Sequence, residues 1–233
     1  MTYTIQFENV STYYGNEQAL HKIKCTFNQG DLIAIAGPNG GGKSTFIKTL
    51  LHHIAPKSGK VIFHGLSKKE IAYLPQKITL DHQFPLTIEE VAAMGLYQEI
   101  GPFTAYNQEN IQRIHAVLTH VDLLQHRHKL IGQLSGGQFQ RMLFARLMLQ
   151  NKPCIVLDEP FTGIDSKTKH QLMRFVQEWH QTGKTVIVVL HELELIQQYF
   201  PTTMVLAKEL VAFGETDTVL KAAHLKDILR FVT

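Results

Sequence analysis

Gly37–Thr45 reads GPNGGGKST. Ahead of it, Leu32–Ala36 is an apolar run with the length of a buried strand; behind it, Phe46–Leu51 reads as the first turns of a helix. Strand, glycine-rich turn, Lys-Ser-Thr and helix in that order form a phosphate-binding loop, the P-loop. The chemistry needs these residue types. Gly37, Gly40, Gly41 and Gly42, with Pro38 and Asn39 in the same curl, let the backbone turn its N–H groups inward onto phosphate oxygens. The helix N-terminus adds partial positive charge. Lys43 can reach the β and γ phosphates as a point charge, and Ser44, with Thr45 behind it, can place its hydroxyl on Mg²⁺. An ordinary glycine-rich turn would not require every one of these positions to be filled.

Outward from this loop, the chain alternates strand and helix signals. Tyr3, Ile5 and Phe7 alternate with polar residues, as in a strand buried on one face, and Asn28-Gln29-Gly30-Asp31 is a turn into the P-loop strand. An antiparallel sheet portion ahead of the P-loop is expected. Past the helix, Pro56–Gly59 reads as a turn, Lys60–His64 as a short strand and Ile71–Leu74 as another, ending at Pro75-Gln76. From 87 to 131 helical spacing takes over. Thr87 and Glu90 form a capping-box pattern for a helix through Met94. In Glu109–Val121, residues Ile111, Ile114, Val117, Leu118 and Val121 share a face. Strands return at Cys154–Leu157 and Thr185–Leu190, around a helix near Lys167–His180 that Gly183 ends. This is an α/β pattern with a parallel sheet covered on both faces. Met204–Leu206 and Leu210–Phe213 around Lys208-Glu209 resemble a hairpin before a helix.

Two further stretches carry chemistry. Cys154–Leu157 runs into Asp158-Glu159-Pro160, placing adjacent carboxylates at a strand's C-terminal edge, where α/β sheets bind ligands. There Asp158 suits Mg²⁺ and Glu159 suits orienting or deprotonating an attacking water. Leu134-Ser135-Gly136-Gly137-Gln138 precedes a long helical stretch and makes a second phosphate cradle. One nucleotide rarely needs two cradles in one chain. The economical explanation is an ATP-sandwich dimer, in which each cradle serves a nucleotide held by the other copy about a two-fold axis.

GPNGGGKST, LSGGQ and CIVLDEP in this order resemble the nucleotide-binding domain of an ABC transporter, over nearly the whole chain. The resemblance implies a P-loop NTPase (RecA-like) core with an antiparallel β portion and a helical ABC-specific subdomain. It implies a single domain, 1–233, with 1–86 and 150–233 as the core and 87–149 as the helical subdomain carrying the signature motif. It implies ATP and Mg²⁺ as cofactors and ATP hydrolysis as the activity. By the same resemblance, Tyr14 is the aromatic that stacks on adenine, with Tyr13 as its rival. Gln76 joins the Mg²⁺ and water site to the membrane contact, His191 is the switch histidine at the γ-phosphate, and Asp165 crosses the dimer interface. Glu192 stands where the family more often has aspartate.

A finer resemblance lies in Asp81–Thr87, DHQFPLT, with Pro75-Gln76 ahead of it, Glu90-Val91 and Met94-Gly95 after it, and Asp158–Asp165 later. It is similar to the bacterial importer ATPases for zinc, manganese and iron; importers of siderophores, cobalamin or another small solute are the alternative. The implied partners are a second copy, integral membrane permease subunits and, indirectly, an extracytoplasmic solute-binding protein. The implied place is the cytoplasmic face of the inner membrane. Phe84 and Pro85 suggest an exposed apolar groove for the permease; packing inside the helical insertion is the other reading, and the two are not exclusive.

Composition narrows the classes. At 233 residues, 44% hydrophobic and 18% charged, the chain can bury a sizeable core. A net charge of +3, one P-loop and no heptad run argue against a nucleic-acid partner. The N-terminus alternates like a strand rather than a signal peptide, and no apolar run approaches the ~18 residues of a membrane helix. A soluble cytoplasmic protein is expected. Cys25 and Cys154 lack a metal-type spacing, and Cys154 reads as buried. Thirteen histidines, His52, His53, His126 and His128 among them, read as solvated surface residues, and their number tilts the substrate expectation towards zinc.

Overall fold

The computed structural model describes residues 2–76, 84–101 and 104–221. The chain divides into two compact units: Met1–Ile71, Pro153–Pro160 and Val176–Thr233 form the first, Ala72–Lys152 and Phe161–Phe175 the second. In chain order the elements are β1 (Thr4–Tyr14), β2 (Glu17–Asn28), β3 (Leu32–Ala36), α1 (Lys43–Leu50), β4 (Ser58–His64), β5 (Ile71–Leu74), α2 (Ile88–Ala93), α3 (Tyr97–Ile100), α4 (Gln108–His120), α5 (Gly136–Gln150), β6 (Cys154–Asp158), α6 (Ser166–Gln181), β7 (Thr185–Val189), α7 (Leu193–Tyr199), β8 (Thr202–Ala207), β9 (Glu209–Glu215) and α8 (Thr216–Lys221).

The first unit holds two sheets. In the antiparallel one, β1 lies between β2 and β4, and Tyr3, Ile5 and Phe7 are buried as their alternation predicts. In the other, β6, β7, β3 and β8 run parallel in that spatial order, and β9 pairs antiparallel with β8. The segments LIAIA, CIVLD and TVIVV are buried at every position, which is why their apolar residues, 32–36, 154–157 and 186–189, run on without alternating. The register sets Asp158 beside Val189, and the Leu190 N–H donates to the Ile35 carbonyl. The ends of β3, β6 and β7 therefore emerge on one edge of the sheet. Phe46 of α1 stacks on Phe7 at 4.5 Å between centroids and meets Phe27 edge-on at 6.0 Å, which ties the P-loop helix to the antiparallel sheet.

Residues 56–59 depart from the turn reading. Ser58 and Gly59 already belong to β4, and Gly59 takes φ 76 where the register between β1 and β4 shifts after Glu8. A Cβ at Gly59 would collide with the Glu8 and Asn9 carbonyls, so the glycine serves a bulge inside a strand. The hairpin at the C-terminal side is present, tipped by Lys208 and followed by α8.

In the second unit, Thr87 and Glu90 form the expected capping box at α2. Ile114 and Leu118 of α4 and Val121 just beyond it are buried. Phe144 of α5 lies 6.4 Å from Phe161 and 6.3 Å from Phe175 in the core. Glu89 gathers side chains distant in sequence: His115 Nε2 at 2.8 Å, His128 Nδ1 at 3.8 Å and Arg127 Nε at 3.9 Å. His52, His53 and His128 are exposed and His126 is half-buried.

Candidate functional site

The P-loop is held by contacts no local pattern shows. Gly42 caps α1 with φ 90 and ψ 6, and a Cβ there would stand 2.6 Å from the Ala19 carbonyl of β2. A Cβ at Gly37 would collide with the Leu206 carbonyl. The Lys208 N–H donates to the Gly41 carbonyl at 2.7 Å, and the Lys208 carbonyl accepts from the His21 N–H at 2.7 Å. The β8–β9 turn thus straps the loop to β2. Sequence reasoning found that hairpin and missed its task, because the signal is the proximity of three segments far apart in the chain.

Lys43 is buried, and its ammonium donates to the Gly37 and Pro38 carbonyls at 2.8 and 2.9 Å. Burial pulls its pKa down, and the Glu159 and Asp158 carboxylates push it back up. Asp158, at the end of β6, is 3% exposed. Burial, then the neighbouring Glu159 carboxylate, pushes its pKa up; a hydrogen bond from Ser44 and the charges of Lys48 and Lys43 oppose that shift. Its Oδ1 is buried without a hydrogen-bond partner. An orphaned carboxylate oxygen beside a serine hydroxyl, at the mouth of a phosphate cradle, is the oxygen set that a hard divalent cation such as Mg²⁺ takes.

Glu159 has φ 50, an uncommon conformation for a residue with a side chain. Its N–H donates to the Val189 carbonyl at 3.2 Å, and Oε1 lies 2.6 Å from His191 Nε2. The parallel register of β6 and β7 thus joins the predicted water-activating carboxylate to the predicted switch histidine. Tyr14, at the tip of the β1–β2 hairpin, is 49% exposed. Tyr13 is half-buried with the Lys57 ammonium 4.6 Å above its ring. Of the two, Tyr14 is the ring left open for stacking.

The second unit carries the other candidates. Gln76 is exposed just beyond β5. Ser135 caps α5: its Oγ accepts from the Gln138 N–H at 3.2 Å, and Gln138 Oε1 accepts from the Ser135 N–H at 3.1 Å. Gly136 and Gly137 form the first turn of that helix. Asp165 accepts from the Thr168 hydroxyl at 2.7 Å and from the Thr168 N–H at 3.0 Å; the hydroxyl, then the N–H, holds its carboxyl below the usual range. Phe84 is 57% exposed and Pro85 is exposed too, so neither packs inside the helical segment. Asp81, His82 and Gln83 lie outside the described residues. A cleft lined by Tyr73, Leu74, Pro75, Leu143, Arg146 and Leu147 contains the Arg146 guanidinium, whose Nε has no hydrogen-bond partner. Among the described residues, no group of three or more His, Cys, Asp or Glu could hold a metal ion, and no helix is long and apolar enough to cross a membrane.

A glycine-rich loop with a buried lysine, at the edge of a parallel sheet that also presents two carboxylates and a histidine, defines a P-loop ATPase. Residues 20–162 match the family model described as ABC transporter. The chain is 36% identical over 228 residues to the manganese transport system ATP-binding protein MntB of Bacillus subtilis (strain 168), covering 96% of this chain and 91% of that protein. A solved structure described as a metal-chelate type ABC transporter, facing inward, superposes with a TM-score of 0.85 at 26% identity, covering 98% of this chain and 89% of that one. A dimeric ATP-binding cassette bound to ADP and Pi in a post-hydrolysis state gives a TM-score of 0.76, also at 26% identity, covering 91% and 98%. The chain belongs to the ABC transporter family. It binds ATP, and its activity is ATP hydrolysis.

Proposed function

We propose that this chain is the ATP-hydrolysing subunit of a bacterial importer for a transition metal, with manganese ahead of zinc, working as a two-fold pair of copies attached to permease subunits. The observation that carries the ATPase site is the orphaned Asp158 oxygen beside Ser44 on the edge that also bears Lys43, Glu159 and His191. The similarity to the manganese protein supports the metal, and it outweighs the tilt towards zinc that histidine content alone gave.

The residues divide the work. The P-loop backbone and Lys43 bind the phosphates, and the ammonium exchanges its two carbonyl partners for phosphate oxygens as charge arrives. Ser44 and Asp158 are the residues that would hold Mg²⁺, which supplies charge neutralisation on the phosphates when bound. Tyr14 stacks on the adenine. Glu159 orients and deprotonates the attacking water, and His191 holds the Glu159 carboxylate through its ring nitrogen until the γ-phosphate draws the imidazole. Ser135, Gly136 and Gly137 of a second copy close over that phosphate, with Gln138 fixing the Ser135 cap and Asp165 facing across the interface. Rate enhancement comes from positioning and charge rather than covalent chemistry.

Exposed Phe84 and Pro85 and the cleft holding Arg146 support permease docking on the second unit. The place at the cytoplasmic face of the inner membrane and the indirect solute-binding protein follow from this reading. So does a functional division into a core (1–86 and 150–233) and a helical subdomain (87–149), whose boundaries differ from those of the compact units at 72–86, 150–152 and 161–175. The transported ion need not touch this chain.

The test is uptake of labelled manganese and zinc by cells lacking the chain, complemented with wild type or with Lys43→Ala. Manganese uptake is expected to fall and to return only with wild type. Unchanged uptake of both metals would remove the reading and leave the siderophore or cobalamin alternative.

A further inference from the structure

Thr168, in the first turn of α6, has two arms with separate employment. Its hydroxyl donates to Asp165 Oδ2 at 2.7 Å while its N–H donates to Oδ1 at 3.0 Å, so both oxygens of that exposed carboxylate are oriented by one residue. The same side chain lies against the signature turn. A Cβ placed on Gly137 would be 3.1 Å from Thr168 Oγ1 and 3.2 Å from its Cγ2. The flanks of that turn are already fixed, because Ser135 and Gln138 hold each other in a capping box. Gly136 and Gly137 have no side chain with which to hold themselves, and Thr168 fills the space over Gly137.

We propose that Thr168 is a positioning residue that locks the Asp165 turn to the Gly136–Gly137 turn within one chain, so that both meet the partner copy as one rigid surface. This rests on the ATP-sandwich reading, in which both turns face the second copy. A hydroxyl with a single proton committed to Asp165 fixes the rotamer, and the fixed rotamer sets where the methyl presses. Loosening either turn would leave ATP binding to the P-loop intact but spoil closure over the γ-phosphate, where small misplacements are costly.

Thr168→Val keeps the volume and removes the hydroxyl; Thr168→Ser keeps the hydroxyl. Each is made in the full chain, alone and with Glu159→Gln. In the Glu159→Gln background, Thr168→Val is expected to weaken Mg-ATP-dependent dimerisation, read by light scattering, about ten-fold. In the otherwise wild-type chain it lowers kcat about ten-fold and leaves KM for ATP within about two-fold. Thr168→Ser, which keeps the Asp165 arm and gives up the methyl against Gly137, restores part of both. Wild-type behaviour of Thr168→Val overturns the inference, and so does a Thr168→Ser variant as impaired as Thr168→Val. If the unmodified chain neither hydrolyses ATP nor dimerises as Glu159→Gln, the functional reading fails instead.

Discussion

Glu159 combines an uncommon backbone conformation, a 2.6 Å contact with His191 and a place next to the buried Asp158. Such strain persists only where surrounding structure over-determines it, and here the β6–β7 register and the Val189 carbonyl do so. Tyr14 invites the test proper to this scale. Alanine there should raise KM for ATP about ten-fold, since stacking of a base on an aromatic contributes about 1–3 kcal/mol. Tyr13→Ala, removing a ring already covered by Lys57, should change KM by less than about two-fold. Steady-state kinetics of the two variants decides between them, and a larger effect at Tyr13 would reverse the assignment. Most residues of the P-loop edge were legible because their chemistry is encoded in contiguous runs, GPNGGGKST and DEP. The choice between Tyr13 and Tyr14 was not, since it depends on a lysine more than forty positions away.

Elements were legible in proportion to how locally they are determined. The capping box at α2 was, because Thr87 and Glu90 carry the whole signal in four residues. The bulge at Gly59 was not, because only the register with β1 reveals it. Nor was the gathering of His115, Arg127 and His128 around Glu89, which spans two helices and a turn. The α2 cap yields a prediction with a defined pH sense. The Thr87 backbone N–H, then its hydroxyl, hold the Glu90 carboxyl below its ordinary value of 4.5. A depressed carboxyl stabilises the fold fully above that ordinary value, and the contribution is lost as pH falls through the lowered folded value. Thr87→Ala should therefore cost about 1 kcal/mol at neutral pH, with the difference from wild type shrinking below about pH 4. Denaturant melts at pH 7 and pH 3.5 measure it; an equal cost at both would show that the carboxylate takes no part.

For the whole molecule, the proposed catalytic and signature residues are divided between two compact units of one chain, and in the proposed two-fold pair the second cradle serves the nucleotide held by the other copy. Hydrolysis and reopening should therefore be separable from closure. Glu159→Gln is expected to lose a factor of about 10²–10⁴ in phosphate release while still binding ATP, and to accumulate as a dimer when Mg-ATP is present. Size-exclusion chromatography with light scattering reads the dimer and a phosphate assay the rate; near-normal turnover would remove Glu159 from its role.

The turn at Lys208 provides a means of watching the phosphate loop without touching it. This amide sits at the tip of a hairpin, where hydrogen exchange is ordinarily fast, yet it is spent on the Gly41 carbonyl. Its exchange rate is thus a readout of the loop's order rather than of the hairpin's. Any ligand, variant or temperature that slackens the loop will register as a loss of protection at a residue outside the phosphate-binding motif.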